Sequence, residues 1–122
     1  MGSLIERRKL DRIKQVYAWL SNSFPTPYPT KLSLIDPKDK DSKKLCGWVE
    51  LTDRKLVIYI NTRYPRYVAL DTLLHEMAHC VSWSHRSMDN FIPDHSAQWG
   101  ISYAQIYRVY HDEGGCKDSG AY

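Results

Sequence analysis

Apolar residues recur at three- and four-residue spacing over residues 4–20, where Leu10, Ile13, Val16, Tyr17 and Leu20 share one stripe. That period predicts an amphipathic helix. Arg7, Arg8, Lys9, Arg12 and Lys14 fall mostly off the stripe and read as its solvated face. Pro25, Pro27 and Pro29 then stop the helix, since none can donate to its backbone ladder. Leu32, Leu34 and Ile35 suggest a first short strand, and residues 36–44 read as a polar, charge-mixed connection. Residues 45–52 and 55–61 predict a hairpin: Trp48, Val49 and Leu51 lead into Thr52-Asp53-Arg54, and Leu56-Val57-Ile58-Tyr59-Ile60 returns.

From about residue 67 to 84 the helical period resumes. Leu70, Leu73, Leu74, Met77 and Val81 cover more than one stripe, which predicts a central, buried helix. Asp71 falls early in it and suits the positive end of the helix dipole. Residues 84–94 read as a loop ending near Pro93, and residues 95–111 as a last helix. Its face Trp99, Tyr103, Ile106 and Tyr110 is expected to be core. Residues 1–3 and 112–122 are expected to be flexible ends. The predicted class is α+β: an N-terminal helix, a three-stranded mostly antiparallel sheet, a buried helix, a loop and a C-terminal helix, in one domain spanning residues 1–122.

Composition narrows the class. With 43% hydrophobic and 25% charged residues, the 122-residue chain has the balance of a water-soluble globular protein. No apolar run approaches the roughly 20 residues of a membrane span, and Glu6, Arg7, Arg8 and Lys9 break any signal-peptide core. Cys46, Cys80 and Cys116 are odd in number and form no C-x-x-C pair, so a reducing intracellular compartment, cytoplasmic or nuclear, is expected. The net charge of +3 is compatible with a DNA neighbour and does not require one.

The buried helix carries the chemistry. His75-Glu76-Met77-Ala78-His79 is an H-E-x-x-H pattern. Residues four apart share a helix face, so both imidazoles can reach one Zn²⁺, with Glu76 alongside as general base for a zinc-activated water. Asp71, one turn earlier, could instead orient His75 from behind. Cys80 reads as inert packing.

Catalytic zinc takes three protein ligands as a rule, so a third is expected downstream. His85 reproduces the metzincin spacing, but Ser82 stands where that pattern needs glycine for its sharp turn. His95 opens the last helix on a rigid element and is the better candidate. Asp94, Glu113 and His111 remain alternatives, as does a site without a third protein ligand.

Taken with the element order, the stretch Thr72–His79 and the later His95-Ser96-Ala97-Gln98-Trp99 resemble the SprT-like metalloprotease domain of the Spartan/SprT family. The strand Leu56–Ile60 before the helix fits the same pattern. Ser96 departs from the glycine commoner at its position. The resemblance covers roughly residues 10–110, and its specific motifs are short. It implies a zincin-like fold and a zinc endopeptidase with His75, His79 and His95 as ligands and Glu76 as catalytic base; a monomer is expected. The expected substrate is a protein or peptide, with DNA-associated proteins as one class. Dependence on DNA is not implied by the core alone. Two other readings stay open: a non-catalytic zinc-binding or nucleic-acid-binding module, and a metzincin-like peptidase closed by His85.

Overall fold

The computed structural model describes residues 4–36, 45–83 and 97–113, the side chains of residues 97, 98 and 113 excepted. Helix α1 (Leu4–Ser23) turns Ile13, Val16 and Leu20 into the core, as their spacing requires. At its end the Phe24 amide donates to the Leu20 carbonyl at 2.9 Å, and the Phe24 ring meets Trp19 edge-on at 6.2 Å. The Tyr17 hydroxyl lies 2.8 Å from the Thr30 hydroxyl and ties the helix to the next strand.

The basic face of α1 is narrower than its sequence suggests. Arg12 is only 8% exposed. The Lys9 ammonium donates to the Thr62 carbonyl at 2.7 Å and pairs with Glu6 at 3.1 Å. Long basic side chains bury their stems readily, so off-stripe positions beside a core become structural. Arg7, Arg8 and Lys14 are the exposed cations of this helix among the described residues.

Strands β1 (Thr30–Ile35), β2 (Gly47–Thr52) and β3 (Lys55–Asn61) form a sheet in the order β1-β3-β2. β2 pairs antiparallel with β3, but β1 pairs parallel with it. The sheet is therefore mixed, which corrects the expectation of a mostly antiparallel one. β1 and β2 are neighbours in sequence, yet β3 inserts between them. The segment leaving β3 holds both sides. Thr62 donates its amide and its hydroxyl to the Ile35 carbonyl at 2.8 Å each. Buried Asn61 donates its side-chain amide to Leu45 O at 3.0 Å and its backbone N–H to Cys46 O at 2.9 Å. An ion pair between Arg63 and Asp36 closes the same end.

In β3 the period of two is clean: Leu56, Ile58 and Ile60 are fully buried and Val57 and Tyr59 are half-buried. Tyr59 stacks on its cross-strand partner Trp48 at 5.0 Å, the kind of pair that fixes register. The β2–β3 turn has positive φ at both central residues, Asp53 (50°) and Arg54 (63°). This is the handedness that suits a two-residue hairpin. Asp tolerates it, whereas Arg carries a Cβ clash of about 1 kcal/mol. Arg54→Gly is accordingly expected to stabilise the fold by roughly 0.5–1 kcal/mol in denaturant unfolding, with no change in the slope.

Helix α2 (Arg66–Val81) crosses the sheet with Ala69, Leu70, Leu73, Leu74, Met77, Ala78 and Cys80 buried. It starts from Pro65, and Ser82 closes it by donating its hydroxyl to the Ala78 carbonyl at 2.8 Å. No acidic residue lies in its first turn, so Asp71 is too far along to serve as a dipole partner. Helix α3 (Ala97–Glu113) packs along α2, with Ile106 and Tyr110 in the core and Tyr110 edge-on to Trp19 at 6.2 Å. Among the described residues no helix is long and apolar enough to cross a membrane.

Candidate metal centre

Most of α2 around the motif is packed against core, including Glu76, which is 7% exposed. Asp71, Thr72, His75 and His79 form its open side: Asp71 exposed, the other three half-buried. The i, i+4 geometry places the two imidazoles next to each other, with ring centroids 5.1 Å apart. One ligand atom from each of His75, Glu76 and His79 lies within 4.8 Å of the others. Two tetrahedral zinc ligands, each at about 2.1 Å, stand about 3.4 Å apart. Donor atoms gathered this closely suit a metal ion that takes imidazole nitrogen.

Helix α3 walls this pair with aromatic rings. Trp99 lies 4.9 Å from the His75 ring and 5.4 Å from the His79 ring. Its indole N–H donates to the His75 carbonyl at 3.4 Å. Tyr103 stacks on Trp99 at 5.1 Å, meets the His75 ring at 5.8 Å, and donates its hydroxyl to Asp71 Oδ1 at 3.3 Å. Side chains packed in this way limit the rotamers of the imidazoles, which is how a site is pre-arranged for a ligand.

The core assignment of the last helix thus divides. Ile106 and Tyr110 are core, whereas Trp99 and Tyr103 are half-buried and stand against the histidines. All four share helical spacing, so period alone could not separate them. The difference comes from how α3 passes α2, which is a tertiary matter.

Electrostatics follow burial. The Tyr103 phenol is pushed up to about 12 by desolvation first and by the Asp71 carboxylate second. It therefore stays a proton donor at neutral pH. Burial pushes the Cys80 thiol up, and the Glu76 charge adds to the rise. A neutral thiol is a poor nucleophile and a poor metal ligand, which leaves Cys80 as packing. Asp71, one turn before His75, accepts the Tyr103 hydroxyl.

Of the proposed third ligands, His85, His95 and Asp94 lie outside the described residues, as does the Glu113 side chain. His111 sits in the last turn of α3, half-buried against Tyr107 at 4.2 Å and Tyr110 at 5.0 Å. It is not in the ligand group found among the described residues. No protein-family model matches the chain, no curated protein matches it, and no solved structure matches it.

Proposed function

We propose that the chain is a zinc-dependent endopeptidase of SprT-like type, acting on protein or peptide substrates. The observation that carries this reading is the grouping of His75 and His79, on the open side of α2, with the buried Glu76 carboxylate within 4.8 Å of both. A purely structural metal site needs no general base, whereas hydrolysis does, and the Glu76 carboxylate stands beside the imidazoles.

In this reading His75 and His79 hold the zinc, with His95 as the expected third ligand. A bound zinc ion supplies Lewis acidity, which makes water easier to deprotonate and a peptide carbonyl easier to attack. Glu76 accepts the proton of the attacking water and hands it to the departing amine. Burial of Glu76 concentrates the effect of its charge, because few waters screen it. The Trp99 and Tyr103 wall keeps the imidazoles oriented while the substrate exchanges.

Incubating the zinc-loaded chain with an unfolded protein substrate is expected to produce new amino termini. Chelation should stop the reaction and added zinc should restore it. Stoichiometric zinc with no new termini from any unfolded protein would leave a non-catalytic zinc module as the better reading.

A further inference from the structure

A cavity of about 480 Å³ opens between the first half of α2 and the second half of α3, where Asp71 and Thr72, about one turn before His75, are among its lining residues. Its floor includes Val68, Leu70 and Leu74. Three tyrosines also line it: Tyr110, which is buried, and Tyr67 and Tyr107, which are 67% and 46% exposed. Asp71 is its acidic residue and His111 its one imidazole, and neither lysine nor arginine lines it. Aromatic faces, an apolar floor and one carboxylate make up the chemistry of a cation pocket. The faces attract positive charge through their quadrupoles, the floor takes an aliphatic stem, and the carboxylate pairs with the head.

The cavity is joined to the metal centre by contacts already described. Asp71 lies one helical turn before His75 on α2. Tyr103 touches both, with its hydroxyl on Asp71 and its ring against His75, and Tyr107 packs on Tyr103 at 6.0 Å. A carboxylate has about four acceptor positions, so the bond from Tyr103 leaves Asp71 able to take a cationic donor.

We infer that this cavity is a specificity pocket that receives the side chain of a lysine or arginine in the peptide substrate, with Asp71 as counter-ion and Tyr67 and Tyr107 as its aromatic walls. The inference rests on the peptidase reading for its substrate, but the pocket itself can be tested without catalysis.

Titration of n-butylguanidinium into the full chain, followed by amide NMR, is expected to give saturable shifts clustered at Tyr67, Asp71 and Tyr107. n-Pentanol should bind more weakly. Asp71→Asn should weaken the cation about two- to fivefold, and Tyr67→Ala, at an exposed position, by a smaller factor. Equal binding of alcohol and cation, or shifts centred elsewhere, would overturn the pocket. In the second arm, zinc-loaded chain cleaves matched peptides carrying lysine or norleucine at one position. A lysine preference that falls toward unity in Asp71→Asn supports the assignment, and equal cleavage of the two peptides overturns it. Cation binding with no cleavage of any peptide would remove the peptidase reading, and the substrate with it, and leave a cation pocket.

Discussion

A Glu76→Gln chain is expected to keep its zinc and lose hydrolysis by about a hundredfold to ten-thousandfold, the range that a positioned general base contributes. Glutamine has nearly the shape of glutamate, and the buried slot beside the two imidazoles should accept it. What disappears is the negative charge and the ability to take a proton from water. His75 and His79 are unchanged, so metal content should not fall. The check is a pair of measurements on one preparation: zinc per chain, and initial rate on an unfolded protein substrate. Unchanged rate with zinc retained would mean that Glu76 has no catalytic role.

The second large effect is on stability. Gly47→Ala is expected to cost about 2–3 kcal/mol, at the upper part of the range for overpacking, and to lower the melting temperature by roughly 10 °C. A Cβ at Gly47 would stand 2.5 Å from the Tyr59 carbonyl oxygen, 2.8 Å from Thr72 Cγ2 and 3.3 Å from Ile60 Cδ1. The first of these is backbone of the paired strand and cannot turn aside. The second belongs to α2, about one turn before His75, so any shift that relieves the clash moves the helix that carries the histidine pair. Calorimetry of the purified variant checks the stability term. A variant as stable as the parent would show that β2 and α2 are not so closely seated.

How much of this was readable in the sequence depends on which physical signal each feature leaves. The helices and the hairpin are strongly periodic, and periodicity survives in a single chain: Ile13, Val16 and Leu20 in α1 and Leu56, Ile58 and Ile60 in β3 are buried as their spacing demands. The motif histidines were readable for the same reason, since i, i+4 spacing is itself a statement of geometry. Strand order leaves no such trace. Nothing in the apolar run of β1 says that β3 will lie between it and β2, so the parallel pair was missed. Arg12 reads as solvated by charge and is buried by position. Trp99 and Tyr103 read as core by spacing and line the histidines. Gly47 is one glycine among several in the sequence, and only the approach of Thr72 and Tyr59 reveals why a side chain would not fit.

The buried Arg12 and the engaged Lys9 also alter where nucleic acid could be sought. A DNA contact on α1 would have to use Arg7, Arg8 and Lys14, three exposed cations near one end of the chain. That is a small electrostatic footprint, since each phosphate contact contributes only about one unit to the salt dependence of binding.

His75 and His79 are expected to hold one metal ion between them. Zinc content after exhaustive dialysis, measured on the parent chain and on His75→Ala and His79→Ala, tests it most directly. One zinc per chain is expected in the parent and its loss in both variants, with fold retained by circular dichroism. A folded parent that binds no zinc, or variants that keep it, would mean that His75 and His79 are not a metal-binding pair.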